Sequence, residues 1–440
     1  MVKKHLSSWK EFWGGASWQV RLSAVFMGSG QFLYGARVKG ILYFLIEVAA
    51  VAFFAVRGIG DIIGFFTLGT VESNAWLGIE GDNSVVMLLM GILAWIALAL
   101  FCMVYVSNLK DARRLQRDVE KGKPVENFRK GLSNFLDKKF YITTLTLPVI
   151  GVCVFSVLPI IFMILIAFTN YGGDIVPPAL VDWTGFGNFV KILTLGQFAP
   201  TFFKILVWNI IWAVGSTALN YFAGLGLALL LNKDCVKGKA IWRAFPILAY
   251  AIPGFITLLA FKFMFSYGGP INQMIVEAGG KAIGFLDIDA KWMARVIGLL
   301  VNCWISTPSI MLLATSMLAN RDMTLYDAAK IDGAGPWKQF TKLTLPFVVF
   351  ATTPVLIGQF VGNFNNFGIF YFLRGGIYTD GYFLASDTDL LINWLYNLSI
   401  DNNYYCIGAA ISLVIFIITS VVSLGVYVRS SSYREEDSFQ

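Results

Sequence analysis

The stretch DAAKIDGAGPWKQFTKLTLP, residues 327 to 346, is a polar interruption between two long apolar segments. Thr324 and Asp327 have the spacing of a capping box, in which a hydroxyl and an acidic group satisfy the first backbone N–H groups of a helix. Gly333 allows the chain to leave that helix, and Pro336 suits the first turn of a second one. We therefore predict a helix, a turn and a second helix. These residues alone leave open whether the segment is an ordinary loop or a docking site for a partner protein.

The composition indicates a membrane protein. Of the 440 residues, 57% are hydrophobic and 14% are charged, and the mean hydropathy is +0.67. A soluble globule of this length needs more polar surface to face water. The net charge of +7 does not indicate nucleic-acid binding, because the lysines and arginines are scattered between apolar runs instead of forming one basic face. We predict an integral membrane protein that binds no nucleic acid.

Few residues are suited to catalysis or metal binding. His5 is the only histidine, and the five cysteines lack the spacing of a metal site or a disulfide framework. No GxxxxGK[ST] motif occurs, so the chain has no phosphate-binding loop of its own. Glu47 is a lone acid in an apolar segment, and no second carboxylate or histidine nearby would complete a proton relay. We predict no catalytic residue, no metal site and a structural partner for Glu47.

Apolar segments of membrane-spanning length occur eight times, since a span needs about 20 predominantly apolar residues. Residues 20–34 are too short for a ninth span and are broken by two glycines, so we expect an interfacial or re-entrant segment there. Pro246, Pro253 and Pro308 interrupt membrane helices and predict kinks there. The predicted fold is all-α and polytopic, with about eight transmembrane helices. The spans are approximately residues 39–57, 84–106, 141–169, 203–231, 244–266, 293–318, 345–372 and 403–428.

The distribution of cations predicts the orientation, because lysine and arginine are retained on the cytoplasmic side. Segments 1–39, 107–140, 232–243, 319–342 and 429–440 hold 26 of the 34 lysines and arginines. Both termini are then cytoplasmic. The predicted domains are an N-terminal extension with two spans (1–106), a basic cytoplasmic linker (107–140), a six-helix core (141–430) and a cytoplasmic tail (431–440).

One segment on the predicted external side is also apolar. Residues 389–399, DLLINWLYNLS, are apolar enough to form a short helix. We expect this helix either to contact an external partner or to lie on the membrane surface.

The stretch at Asp327 resembles the EAA signature of the transmembrane subunits of binding-protein-dependent ABC importers. Asp327 stands where that signature has Glu, which shortens the carboxylate. The resemblance extends over roughly residues 143–429 and, with the eight spans, is nearest to the larger, MalF-type permease subunit of maltose and maltodextrin importers. It implies a type I ABC importer core in which the loop 319–346 is gripped by an ATPase. The other matching residues are Ala328, Ala329, Asp332, Gly333, Ala334, Phe340, Leu345 and Pro346.

The same resemblance implies a sugar site at mid-membrane. Amides and aromatic rings there suit an uncharged polyol, although buried asparagines also serve as contacts between helices. Three positions depart from the maltose permease pattern: Gly254, Ser309 and Gly362 stand for Ser, Tyr and Phe, which predicts a wider or differently shaped pocket. The residues implied to bind the sugar are Tyr250, Asn302, Ile305, Ser306, Asn363, Asn366 and Phe367.

The resemblance implies a transport subunit without enzymatic activity in the bacterial cytoplasmic membrane. It implies a second, MalG-type permease, two MalK-type ATPase subunits and an external sugar-binding protein as partners. ATP and Mg²⁺ would bind to the ATPase subunits, and no cofactor to this chain. A permease for another oligosaccharide, such as a raffinose-type sugar, is the main alternative. An ion-coupled transporter or a membrane enzyme is disfavoured, because the spans hold almost no titratable groups and the external acids lack a catalytic spacing.

Overall fold

The computed structural model describes residues 12–74, 76–125, 136–137, 140–233, 235–319 and 322–429. Within these ranges the chain is helical and its only β-pairing consists of three isolated bridges. It forms two compact units, Met1–Trp183 and Thr184–Gln440. His5, most of the second half of the predicted linker and the predicted tail lie outside the described residues. The predicted domain boundaries stay a prediction.

The first unit contains α1 (Trp18–Leu22), α2 (Ser29–Leu33), α3 (Arg37–Thr67), α4 (Ser84–Glu120) and α5 (Phe140–Ile166). The second unit contains α6 (Gly187–Thr194), α7 (Ala199–Asn232), α8 (Lys239–Ala251), α9 (Gly254–Met264), α10 (Pro270–Glu277), α11 (Lys291–Ala319), α12 (Met323–Ile331), α13 (Pro336–Gln339), α14 (Leu345–Phe364), α15 (Phe367–Arg374), α16 (Leu391–Tyr396) and α17 (Tyr405–Arg429).

The predicted count of eight spans is confirmed. In the described ranges, seven helices are long and apolar enough to cross a membrane, and a bent pair of helices brings the number to eight. The bent pair is α8 and α9, which meet at 92°. Pro253 lies at the bend, where its ring and missing N–H prevent a continuous helix. The kink predicted at Pro253 is therefore present, and it is sharp enough to divide the fifth span in two. Pro246 and Pro308 lie inside α8 and α11, each of which continues past its proline.

The first unit is held together partly by a buried asparagine. Asn108 on α4 is fully buried; its Oδ1 accepts from the Gly28 N–H at 3.0 Å, and its Nδ2 donates to the Ser23 carbonyl at 3.0 Å. The Asn108 carbonyl also accepts from Gln31 Nε2 at 2.9 Å. These bonds satisfy backbone groups that the turn between α1 and α2 leaves unpaired. Helix α4 itself continues to Glu120, past residue 106, where the sequence predicted the span to end.

The segment predicted to be interfacial, residues 20–34, forms the short helices α1 and α2. Gly28 lies between them with φ of +82°, and a Cβ there would collide with the Gly40 carbonyl oxygen of α3. Only glycine allows this approach. The next residue back, Met27, donates its N–H to Glu47 Oε2 at 2.9 Å. Glu47 therefore has the structural partner that its isolation in an apolar segment predicted.

The core of the second unit lies between α7, α11 and α15. Trp212 of α7 is fully buried, and its ring packs edge-on against Phe370 of α15 with ring centroids 4.9 Å apart. Gly298 of α11 leaves room for both rings. Farther along, Gly224 of α7 lies directly against Ile310 of α11, so the two helices approach closely. This packing fixes the face of α7 and α11 from which the polar residues of the candidate site project.

A buried ion pair joins the chain segments beside this core. Arg374, at the end of α15, pairs with Asp387, and both side chains are almost fully buried. The same guanidinium donates to the carbonyls of Asp287 at 2.6 Å and Ile288 at 2.8 Å. A buried arginine is tolerated only when its donors are satisfied in this way. The cluster ties the residues before α11 to the residues that follow α15.

The helix predicted at residues 389–399 is present, and its contact with an external partner or the membrane surface stays a prediction. It forms α16 followed by a wide turn at Asn397–Asp401. Leu391 and Trp394 are fully buried, and the indole Nε1 of Trp394 donates to the Phe383 carbonyl at 2.8 Å. Leu391 and Trp394, two of the apolar residues that suggested a membrane-surface or docking helix, therefore pack within the second unit.

Candidate functional site

Three asparagines from two spans are connected by hydrogen bonds in the second unit. Asn302 of α11 donates from Nδ2 to Asn363 Oδ1 at 3.2 Å, and its own Oδ1 accepts from Asn366 Nδ2 at 3.1 Å. Asn302 and Asn363 are buried, and Asn366 is half-buried. Each amide both donates and accepts, so the group forms a continuous polar row in an otherwise apolar region.

The row depends on a break between α14 and α15. The sequence predicted one apolar span over residues 345–372. Within one helix, the spacing of three residues between Asn363 and Asn366 would place both side chains on the same face. In the structure α14 ends at Phe364, and Asn366 caps α15 by accepting the Ile369 N–H at 3.3 Å. The prediction of an uninterrupted helix is wrong because the amide at Asn366 competes for a backbone group and starts a new helix. Both side chains nevertheless reach Asn302.

Helix α7 supports this break from the other side. Asn363 donates from Nδ2 to Thr217 Oγ1 at 3.0 Å, and its carbonyl accepts from Trp212 Nε1 at 3.1 Å. The Phe364 carbonyl accepts from Asn209 Nδ2 at 3.1 Å. These carbonyls lose helical partners where α14 ends. The sequence analysis missed Asn209, Trp212 and Thr217. Their signal was a row of polar and aromatic residues on one face of an apolar helix.

The asparagine row forms one wall of a pocket of about 410 Å³. Among the residues that the structure describes, no lysine, arginine, aspartate or glutamate lines it, so it offers amide and hydroxyl hydrogen bonds without net charge. Such a lining suits a neutral, hydroxyl-rich ligand. The lining residues are the predicted Asn302, Ser306, Asn363 and Asn366 together with Val355, Gly358, Gln359 and Gly362.

The remaining three predicted sugar residues lie elsewhere. Tyr250 is exposed near the end of α8 and is not among the residues lining this pocket. Ile305 packs against the core around Trp212 and Phe370. Phe367 stacks on Tyr371 with ring centroids 4.5 Å apart. The structure thus brings four of the seven predicted residues together. The binding role of all seven stays a prediction.

The loop that carries the EAA-like signature forms the predicted helix, turn and helix. Gly333 has φ of +74° where α12 ends, and Pro336 begins α13. The side chains at the turn include Ile331 and Trp337, which are exposed to 87% and 76%. The six residues predicted to contact an ATPase lie on the exposed or half-exposed surface: Asp327, Ala328, Ala329, Asp332, Gly333 and Ala334.

The predicted cap of α12 is wrong in one residue. Asp322, and not Thr324, caps the helix: its Oδ1 accepts from the Thr324 N–H at 2.9 Å and from Thr324 Oγ1 at 2.7 Å. These two bonds, led by the one from the hydroxyl, lower the pKa of the Asp322 carboxyl. An aspartate is the stronger cap because its charge also favours the helix N-terminus. Asp327 instead forms an exposed ion pair with Lys330 at 3.0 Å.

Residues 220–431 match the family described as "Binding-protein-dependent transport system inner membrane component". The galactooligosaccharides transport system permease protein GanP of Bacillus subtilis is 32% identical over 424 residues, which cover 94% of this chain and 98% of GanP. The chain belongs to this family. It is a transport subunit, and the predicted family is confirmed.

Other relatives of this permease carry related names. The maltodextrin transport system permease protein MalC of Streptococcus pneumoniae is 31% identical over 94% of this chain and 96% of MalC. The maltose/maltodextrin permease protein MalF of Escherichia coli is 33% identical, over 58% of this chain and 50% of MalF. A crystal structure of a bacterial alginate ABC transporter in complex with an alginate pentasaccharide-bound periplasmic protein superposes with a TM-score of 0.53 at 20% identity. It covers 67% of this permease and 96% of that chain and shows a shared fold.

Proposed function

We propose that this permease translocates maltose and maltodextrin-type oligosaccharides across the bacterial cytoplasmic membrane. The observation that carries the proposal is the uncharged pocket built around Asn302, Asn363 and Asn366. Amide groups match sugar hydroxyls because each can donate and accept. The maltodextrin permeases among its relatives support this substrate class.

The hydrogen bonds within the row suggest how a sugar binds. Without ligand, the side-chain amides of Asn302, Asn363 and Asn366 all have hydrogen-bond partners within the protein. A sugar that enters the pocket replaces the Asn302–Asn363 and Asn302–Asn366 bonds with bonds to its hydroxyls. The exchange keeps the number of hydrogen bonds nearly constant, so binding is readily reversible. Transport requires such reversibility because the sugar has to leave again.

The energy for transport comes, in this proposal, from partner subunits. Two ATPase subunits bind ATP and Mg²⁺ and close on the loop 319–346 and on its counterpart in a second permease. The exposed side chains of Ile331 and Trp337 support a docking role, because large apolar residues at a protein surface are typical of interfaces. An external binding protein delivers the sugar, and both termini of the permease are cytoplasmic.

A second substrate class has specific support. GanP, named for galactooligosaccharides, is as similar to this permease as the maltodextrin permeases are. In addition, Gly362 lines the pocket and contributes no side chain to it. An oligosaccharide of another linkage, of the galactooligosaccharide or raffinose type, is therefore the alternative substrate.

Uptake by the source strain tests both candidates. Deletion of this permease should abolish uptake of radiolabelled maltotriose, and expression from a plasmid should restore it. Competition by unlabelled maltose, longer maltodextrins, raffinose and galactooligosaccharides then ranks the substrates. Undiminished maltotriose uptake after deletion would contradict the maltodextrin assignment. Uptake by reconstituted permease without any ATPase subunit would contradict the ATP-driven mechanism.

A further inference from the structure

The pocket extends along α14 beyond the asparagine row. Val355, Gly358 and Gln359 line it together with Asn363, which lies one helical turn farther along than Gln359. One turn is about 5.4 Å. This extension runs toward Leu345 and the loop that precedes it. The resemblance to maltose permeases assigned a sugar contact to none of these three residues.

The amide of Gln359 differs from the amides of the asparagine row. Asn302 bonds to both Asn363 and Asn366. The side-chain amide of Gln359, in contrast, makes no hydrogen bond to any residue that the structure describes. Its side chain is half-buried and lines the pocket. An amide in this position gains a partner when a ligand with hydroxyl groups arrives, and it gives up no bond within the protein to do so.

The backbone beside Gln359 leaves space for a ring. Gly358 and Gly362 are four residues apart, so both lie on the same side of α14. A Cβ at either glycine would meet no other atom within 4 Å. The helix surface between them is therefore flat and apolar, and the amide of Gln359 lies at its edge. Sugar rings bind to proteins through an apolar face and peripheral hydroxyls, and this surface offers a partner for each.

We propose that Val355, Gly358 and Gln359 form a second glycosyl subsite, next to the subsite at Asn302, Asn363 and Asn366. The proposal rests on the proposed function, because it assumes that the ligand is a linear neutral oligosaccharide. The asparagine row holds one sugar unit, and the adjoining unit lies on the helix surface at Gly358. Gln359 donates to one hydroxyl of that unit and accepts from another. The subsite contributes to the preference for chain length.

Two variants test the subsite in the complete transport complex. Gln359→Leu removes the amide at similar volume, and we expect the maximal uptake of maltotriose to fall about five- to tenfold, as for the loss of one or two hydrogen bonds. Gln359→Asn keeps an amide and should retain part of the activity. Gly358→Leu fills the subsite, and we expect longer maltodextrins to lose more uptake than maltose does.

Matched controls separate binding from folding. Thr353→Val removes a hydroxyl on the same helix that bonds only to the Val349 carbonyl, and Gly226→Leu adds the same bulk at another open helix position. Both should transport as the unchanged permease does. All variants are checked for co-purification with the partner subunits and for basal ATPase activity. If Gly358→Leu does not assemble, Gln359→Leu and Gln359→Asn decide the matter.

The outcomes distinguish this inference from the proposed function. Normal uptake by Gln359→Leu, or an equal loss for every chain length in an assembled Gly358→Leu complex, overturns the second subsite and leaves the proposed function standing. Absence of maltodextrin transport by the unchanged permease overturns the proposed substrate instead.

Discussion

Asn302 donates its side-chain N–H to Asn363 Oδ1 at 3.2 Å and so joins two membrane spans at the wall of the pocket. The two residues are not equivalent in what they support. Asn363 also bonds to Thr217 and, through its carbonyl, to Trp212. Asn363 therefore has a structural function as well as the proposed binding function, whereas Asn366 bonds to one span other than its own, caps α15 and is less buried.

This difference separates two substitutions in the asparagine row. Asn366→Ala should reduce sugar uptake at least tenfold, on the order of 1.4 kcal/mol or more, and should cost about 1 kcal/mol of stability through the lost cap of α15, while the complex still assembles. Asn363→Ala should reduce uptake and also destabilise the permease by about 1–3 kcal/mol, because Asn302 and Thr217 lose a buried partner. Uptake assays and thermal unfolding measure the two effects. Asn365→Ala, whose amide bonds to the Val361 carbonyl outside the pocket, is the control. Normal uptake by Asn366→Ala would remove this residue from the site.

A pair of substitutions on α12 tests the role of the EAA-like loop. Asp327→Ala and Lys330→Ala both break the exposed Asp327–Lys330 ion pair, which contributes little to stability. Only the first also removes the carboxylate that matches the signature. Asp327→Ala should therefore impair sugar-stimulated ATP hydrolysis or assembly without changing which sugar is preferred, and Lys330→Ala should have a much smaller effect. Equal defects in both variants would show that the ion pair, rather than the carboxylate, is required.

The cap of α12 provides a third test. Asp322→Ala removes the acceptor for the Thr324 N–H and should destabilise the first turn of the helix. Thr324→Ala leaves that acceptor in place and should have a smaller effect. Hydrogen exchange of the amides in residues 323–331 measures the result. Faster exchange in Thr324→Ala than in Asp322→Ala would favour the capping box that the sequence suggested.

The segment between α15 and α16 should respond to pH. Asp389 is buried, and this burial raises the pKa of its carboxyl to about 7, although the Ser386 N–H, Arg374 and Asn397 oppose the shift. Asp387 nearby raises it further. Between about pH 4 and about pH 7, the folded state thus keeps a proton that the unfolded chain has lost. Stability should fall as pH rises from about 4 to about 7, by about 1.4 kcal/mol for each unit of the pKa shift.

Asp389→Asn should abolish this pH dependence, because the amide cannot ionise. Thermal unfolding of the purified permease between about pH 5 and about pH 8 measures it. Asp380→Asn changes an exposed acid in the same segment and should leave the slope intact. A slope that persists in Asp389→Asn would assign the titration to another group.

The number of spans followed from hydropathy because a membrane demands long apolar runs whatever their neighbours are. The shapes of two spans did not follow completely. Pro253 predicted a kink but not a bend of 92°, since the angle depends on the helices that α8 and α9 pack against. The break at Asn365 and Asn366 left no trace in hydropathy. It depends on a side chain taking over a backbone hydrogen bond, and on Trp212 Nε1 and Asn209 Nδ2 donating to the exposed carbonyls.

The candidate site was predicted best where the resemblance named amides. Asn302, Asn363 and Asn366 do lie together, and their joint placement could not have been derived from spacing, because Asn302 is 61 residues from Asn363. Gln359 and Thr217 were missed because a single polar residue in a span is most often a contact between helices. Tyr250 lies near the end of α8, just before the bend at Pro253, so its position depends on the angle between α8 and α9.

Arg374 has a mechanical consequence for transport. Its guanidinium binds Asp387, Asp287 and Ile288 at once, so the residues leading into α11 and those following α15 move as one body. A movement that opens this side of the second unit therefore has to displace these residues together. The junction at Asn365 is held as well, because α7 and α11 bond to Asn363, Phe364 and Asn366 on either side of it. A displacement of α11 should therefore move the Arg374 cluster and the pocket wall at Asn302 together.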